Sequence, residues 1–205
     1  ACAPYRRLHV CDRNLEQIKT ENITTHNLLV DVCMAAQFEG VSISGRYWQY
    51  QEKYKDTGST MCTMLARSFA DIGDIVRGKD LFLGNDEEKK KRDELDDKLK
   101  TIFKKIYNDV TSGNNKEELQ KRYNDDNENY YQLREDWWRL NRRKVWYAIT
   151  CGAGKHDKYF RHTCGDVKRP TPTDEKCQYI NFSVPTYFDY VPQYLRWFEE
   201  WAERA

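Results

Sequence analysis

The sequence predicts a mainly α-helical domain whose helices carry loops stapled by disulfides. Three observations predict it: apolar residues recurring at helical spacing, an aromatic-rich set of core formers, and seven dispersed cysteines. Only 39% of the 205 residues are hydrophobic, yet 14 Tyr, 8 Phe and 6 Trp supply ample surface to bury. The length suits one large domain or two small lobes. The cysteines stand at Cys2, Cys11, Cys33, Cys62, Cys151, Cys164 and Cys177, with no CxxC pair among them. That dispersal points to an oxidising compartment and long-range bridges rather than to a zinc ribbon. All seven are disulfide candidates, and the odd number leaves at least one thiol without a partner inside the chain.

Residues 1–30 lack sustained periodicity and read as loops and short turns. Leu28, Leu29, Val32, Cys33 and Ala36 form a helical stripe that Gly40 is expected to end. The interval from Gly40 to Gly58 reads as turn-rich and aromatic. A second helix is expected from Thr60 to Val76, burying Cys62, Leu65, Ala66, Phe69, Ile72, Gly73 and Val76. After Gly84, Asn85 and Glu88 have the spacing of a capping box, with Asp86 and Glu87 suited to the helix dipole. Leu95, Leu99, Ile102, Phe103, Ile106 and Val110 then mark one face of a long helix. Ser112-Gly113-Asn114 ends it, and Asn115 with Glu118 starts another by the same logic. Further along, Leu119, Tyr123, Tyr130, Leu133, Trp137, Leu140, Val145 and Ala148 continue the helical pattern, interrupted by polar residues 124–129. From Cys151 to Pro185, glycines and prolines punctuate a long loop holding three cysteines. A last helix has Pro192 in its first turn, with Leu195, Phe198, Trp201 and Ala202 expected inward.

The chemical motifs fail one by one. Gly73 to Asp80 nearly reproduces a phosphate-binding loop, but Asp80 stands where a hydroxyl is needed and a helix precedes it instead of a strand. The stretch reads as a helix end with a glycine cap. Cys151, His156, His162 and Cys164 offer zinc-compatible ligands at no standard spacing, and the cysteines are better used in bridges. Asp71 and Asp74 mimic an acid/base pair but read as solvated or capping carboxylates. No histidine is tied to a Ser or Cys nucleophile. The residues therefore indicate a non-enzyme with no cofactor and no metal.

Balanced charge, 34 basic against 33 acidic residues, excludes a general attraction to nucleic acid and leaves only local patches. Three basic clusters remain. The first is Lys89, Lys90 and Lys91 with Arg92; the second is Arg139 with Arg142, Arg143 and Lys144. The third is Lys155, Lys158, Arg161, Lys168 and Arg169, on the long loop where ligand contact is most easily evolved. The first and third are the candidate ligand-binding residues, because a sulfated polysaccharide would meet such clusters with salt-dependent affinity. The second reads as packed among Trp137, Trp138 and Trp146 or paired with Glu135 and Asp136. No run of about 18 apolar residues is present, so no membrane contact is expected. The opening Ala1 to Tyr5 has no signal-peptide core, which suggests a piece of a longer chain. Asn22-Ile23-Thr24 and Asn181-Phe182-Ser183 match the glycosylation sequon.

Four blocks carry a resemblance. They are Pro4-Tyr5-Arg6-Arg7-Leu8-His9, the run Ala66 to Gly78 (ARSFADIGDIVRG), Trp146-Tyr147-Ala148-Ile149-Thr150-Cys151, and Pro192 to Trp201 (PQYLRWFEEW). In this order they resemble the alpha-class Duffy-binding-like domain of Plasmodium falciparum erythrocyte membrane protein 1. The resemblance spans nearly the whole chain. It implies a Duffy-binding-like fold made of a loop-rich first lobe (about 1–80) and a helical second lobe (81–205), with the family's third subdomain missing. Relatives often read Cys-x-Cys where this chain has Cys177-Gln178-Tyr179. Tyr179 thus leaves one cysteine of the Cys151–Cys177 loop without its usual partner.

The resemblance also implies a function. It is that of an extracellular adhesion module of a variant surface antigen, displayed on the infected erythrocyte, subject to antigenic variation and attached to host erythrocyte or endothelial receptors. Rosetting through heparan sulfate, complement receptor or blood-group glycans belongs to alpha-class domains. The alternative is an interaction scaffold that packs against a neighbouring cysteine-rich domain and presents variable loops to host antibodies.

Overall fold

The computed structural model describes residues 2–22, 24–54, 60–113, 115–124, 128–157, 159, 164–166, 169–171, 173, 175–179 and 183–203. A 3-10 turn at Tyr5–His9 opens the chain, and a single-turn helix α1 (Arg13–Glu16) follows. The main helices are α2 (Thr25–Tyr54), α3 (Met61–Arg77), α4 (Asp86–Val110), α5 (Lys116–Arg122), α6 (Tyr131–Ile149) and α7 (Gln193–Ala202). Two three-residue strands, β1 (Cys164–Asp166) and β2 (Arg169–Thr171), pair antiparallel inside the long loop, a hairpin its glycine and proline pattern did not announce. The fold is mainly α.

Helix α3 is the axis of the molecule. Thr60 caps it by accepting from the Thr63 amide at 3.3 Å, and Gly78 ends it in the left-handed region at φ 71°. All of its residues except Met64 are buried, so it has no solvent side. Around it lie α2, α6, the 3-10 turn Phe188–Tyr190 and α7. Phe69 meets Trp138 and Trp146 at ring distances of 5.1 and 5.2 Å, and these rings form the centre of the core. One hydrophobic cluster runs from Val10 to Phe188, so the core crosses the lobe boundary drawn near residue 80, which falls in the extended stretch between α3 and α4.

Gly40 corrects the reading of α2. It does not end the helix, which continues to Tyr54; the expected turn-rich interval is helical as far as it is described. A Cβ at residue 40 would lie 2.0 Å from the Ile149 carbonyl oxygen, so glycine is there to let α2 and α6 touch. The segment Thr25–Tyr47 is also long and apolar enough in composition to cross a membrane. Leu28, Val32, Ala35 and Ala36 are nevertheless fully buried, which makes it a core helix.

Helix α4 follows its sequence closely. Asn85 Oδ1 accepts from the Glu88 amide at 2.9 Å, and the Asn85 amide donates to Glu88 Oε2 at 2.8 Å. Leu95, Leu99, Ile102, Phe103 and Ile106 are buried, but Val110 at the last turn is exposed. Asn115 makes no side-chain cap for α5. Leu140 of α6, expected inward, is 76% exposed.

Helix α7 shows the reverse of its expected orientation. Leu195, Phe198, Trp201 and Ala202 face solvent, while Gln193, Arg196, Trp197 and Glu200 are buried. The inward residues recur at i, i+3, i+4 and i+7, a helical face in which three of four members are polar or charged.

Candidate functional site

Burying that face requires partners, and they come from the first two sequence blocks. Arg6 Nη2 pairs with Asp71 at 2.8 Å and Glu200 at 2.9 Å. Arg196 Nη2 pairs with Asp71 at 2.8 Å and Asp74 at 2.5 Å, and Arg77 pairs with Asp74 at 2.8 Å. Three arginines and three carboxylates thus share one desolvated cluster joining the N-terminal turn, α3 and α7. Further hydrogen bonds extend it. Arg6 donates to Ser68 Oγ at 3.0 Å, which donates to Glu39 at 2.6 Å; Glu39 in turn accepts from the Cys11 amide at 2.9 Å. Gln193 donates to Asp71 and Asp80, at 3.2 and 2.8 Å. Arg7 pairs with Asp80 and lies 4.6 Å over Phe82.

Asp71 and Asp74 are therefore not solvated or capping groups; they are 0% and 4% exposed and hold the network together. Burial alone would raise Asp71, but Arg6 and Arg196 outweigh it and set its pKa at about 2. Burial pushes Asp74 up to about 6 against the pull of Arg196 and Arg77. An open cleft of about 280 Å³ passes beside Asp74, Arg77 and Asp189. The arginines are already committed there: Arg77 donates to the Gly73 and Asp189 carbonyls, at 2.9 and 2.5 Å. This is architecture that fixes a surface in place.

A second buried pair works the same way. Asp189 accepts from Trp138 Nε1 at 2.8 Å and pairs with Arg142 at 2.7 Å. Arg142 lies within 5.4–5.6 Å of the Phe69, Tyr187 and Tyr190 rings. The second basic cluster is thereby divided: Arg142 is structural, Arg139 pairs with Asp136 at 3.1 Å, and Arg143 and Lys144 face solvent.

The first cluster divides too. Lys89, Lys90 and Lys91 are exposed, with Lys91 3.7 Å from Glu87, while Arg92 turns inward to Asp12. Asp86, Glu87, Glu88, Asp93 and Glu94 flank the three lysines and dilute their field. In the third cluster Lys155 is exposed. Lys158, Arg161 and Lys168 lie outside the described residues, as does the side chain of Arg169, whose backbone belongs to β2.

Cys62 on α3 is bridged to Cys177, across a sequence separation of 115. Cys2, Cys11, Cys33 and Cys151 are unbridged, and the Cys164 side chain lies outside the described residues. Burial raises the Cys11 thiol to about 11, with Glu39 adding to the shift. Tyr179 is buried at 9% exposure, and Cys151 stands exposed without a bridge. The Cys177 carbonyl accepts from Trp146 Nε1 at 3.2 Å, which ties the bridged loop to the third sequence block. Of the zinc-compatible set, Cys151 and His156 are exposed and His162 is outside the described residues; among the described residues no group of three His, Cys, Asp or Glu side chains is arranged to hold a metal ion. Gly78, which caps α3, accounts for the phosphate-loop likeness.

All four sequence blocks thus converge on one core, where charged residues are as important as apolar ones. Comparison with known proteins fits this. A family model described as the Duffy binding domain matches residues 1–196. A structure of the NTS-DBL1-alpha and CIDR-gamma double domain of PfEMP1, from the Plasmodium falciparum varO strain, is 42% identical with a TM-score of 0.78. It is covered over 28% of its length by 98% of this chain. The varO NTS-DBL1(alpha-1) domain is also 42% identical, with a TM-score of 0.77, 98% of this chain covering 43% of that one. The PfEMP1 IT4var13 DBLbeta domain bound to ICAM-1 is 34% identical with a TM-score of 0.70, the cover being 98% and 44%. The chain spans less than half the length of each of these relatives. No match was found among curated proteins. On the family model, the identity and the shared fold, this chain belongs to the Duffy binding domain family.

Proposed function

We propose that the chain is an adhesion module of a variant surface antigen, exposed on the outer face of the infected erythrocyte and binding host-cell receptors without catalysis. The observation that supports this most directly is the DBLbeta relative solved in complex with ICAM-1, alike over nearly all of this chain. The architecture is consistent with it: charge and aromatic surface are spent on rigidity, leaving the exterior to make contact. The finer reading is that Lys155, Lys158, Arg161, Lys168 and Arg169, with Lys89, Lys90 and Lys91, meet sulfated glycans such as heparan sulfate, and that this contributes to rosetting. Heparin chromatography of the disulfide-bonded chain tests it. Reversing the five loop charges is expected to move elution to markedly lower salt; unchanged elution would eliminate that cluster.

A second reading has its own support. The varO relative carries its DBL1-alpha domain in a double domain with CIDR-gamma. A scaffold role, packing against such a neighbour and presenting loops to antibodies, predicts binding to an isolated cysteine-rich domain and none to erythrocytes or endothelial cells.

A further inference from the structure

Helix α7 is amphipathic with its faces reversed. Its exposed residues are Tyr194, Leu195, Phe198 and Trp201, at 51%, 45%, 74% and 45%, together with Ala202; Glu199 is half-buried at their edge. The spacing of i, i+1, i+4, i+7 and i+8 puts these five on one side of the helix. Rolling the helix cannot hide them. Arg196 and Glu200 are locked into ion pairs with Asp71, Asp74 and Arg6, and just past the last turn Glu203 pairs with the buried Arg67 at 2.7 Å. Turning the apolar row inward would break these pairs and strand their charges in a dry interior. Cover for the row has to come from outside the present neighbours of α7.

The apolar surface continues beyond the helix. Tyr190 and Val191, 45% and 37% exposed, and Leu81, at 51%, line the cleft of about 280 Å³ together with Tyr194. Lys79, the exposed cation of that lining, is paired with Glu135. The patch thus offers rings and aliphatic carbon with little free charge, which suits a protein core and not a sulfated glycan. Cys2 and Glu203 both lie beside it. Trp201 Nε1 donates to the Cys2 carbonyl at 3.0 Å, and Glu203 is held on Arg67, so polypeptide on either side of these residues starts next to the apolar row. Finally, 98% of this chain aligns with only 43% of the varO NTS-DBL1(alpha-1) domain, and more than half of that domain has no counterpart here.

We propose that the outer face of α7 is an intramolecular interface, covered in the intact domain by the part of the same polypeptide that the varO relative has and this chain lacks. In the larger body α7 is then an interior helix, charged on its side toward α3 and apolar on its side toward the added segment. A segment tethered beside its site acts at an effective concentration on the order of millimolar, so it outcompetes a free partner for the face. Host contacts would accordingly lie elsewhere on the surface. The proposal does not depend on the adhesion reading.

The test is hydroxyl-radical footprinting, read by mass spectrometry at matched radical dose. It compares the 205-residue chain with the whole domain expressed from the parent coding sequence, both disulfide-bonded. Labelling of Leu195 and Phe198 is expected to fall about fivefold or more in the whole domain, because the core of an interface excludes water. Leu195→Glu with Phe198→Glu is expected to leave the thermal midpoint of the 205-residue chain unchanged and to lower that of the whole domain by about 5 °C or more. A substitution that damaged the shared fold would lower both. Equal labelling of Phe198 in the two wild-type proteins would overturn the proposal. So would protection that appears only where sedimentation shows a dimer, which would make a second copy the occupant. Loss of host-cell or lipid-vesicle binding by the double variant of the whole domain, with its midpoint unchanged, would make the face a host contact and equally overturn it.

Discussion

Asp71 and Asp74 differ by one turn of α3 and have opposite consequences for stability. Asp71 is depressed to about 2, so its contribution is complete above the ordinary carboxylate pKa of about 4 and is lost as pH falls toward 2. Asp74 is raised to about 6, so its contribution is present below pH 4 and is lost as pH rises toward 6. Urea unfolding from pH 2 to 7 is expected to show Asp71→Asn lacking the acid limb and Asp74→Asn lacking the decline between 4 and 6. At pH 7, Asp71→Asn is expected to cost about 3–5 kcal/mol, because it strands Arg6 and Arg196 in a dry interior. Asp74→Asn should cost clearly less. Equal losses at pH 7 would show that the two carboxylates are equivalent. Neither role was legible in the sequence, since a pair of aspartates three apart looks the same whether it meets water or three arginines.

Helices were legible where one face was apolar and the ends were capped, as in α4 with its Asn85–Glu88 box and in α3 between Thr60 and Gly78. They were misread where the inward face was polar. Hydrophobic periodicity turned α7 outward-in: it favoured Leu195, Phe198 and Trp201, whereas the buried row is Gln193, Arg196, Trp197 and Glu200. The signal was available in the spacing of Arg196 and Glu200, four apart beside Trp197, but only with Asp71 and Arg6 in view does it outweigh the apolar alternative. Substitution distinguishes the two faces. Trp197→Ala is expected to cost about 3–5 kcal/mol and Phe198→Ala less than about 0.5, read from unfolding midpoints. Gly40 was misread as a stop because glycine ends helices and permits close helix contact alike. Gly40→Ala is expected to cost about 1–3 kcal/mol by forcing α2 away from Ile149, whereas Gly45→Ala, with open space at its Cβ, should be neutral or better.

At the scale of the whole molecule, the fold is held by contacts far apart in sequence. The Cys62–Cys177 bridge fastens the central helix to the long loop across 115 positions. In the chain-entropy account a loop of that size is stabilised by about 4–5 kcal/mol, so Cys62→Ser with Cys177→Ser is expected to lower the unfolding free energy by about that amount. An unchanged denaturation midpoint would mean that the network alone sets the fold. The cysteine positions made a bridged architecture legible, but not which pair closes, because connectivity is a property of the folded loop. The resemblance gave the family, and the family's blocks proved to be the residues that bring these distant segments together.

The meeting of Arg6 with Glu200 is reinforced by Trp201 Nε1, which donates to the Cys2 carbonyl at 3.0 Å. Residues at opposite ends of the numbering are therefore neighbours, so the polypeptide is close to a closed ring. Joining its extremities through a short glycine–serine tether and reopening it at exposed Gly113 is expected to give a circular permutant with native dichroism and the same Cys62–Cys177 pairing. A permutant that failed to fold would show that the order of synthesis, and not only the final proximity, matters to this topology.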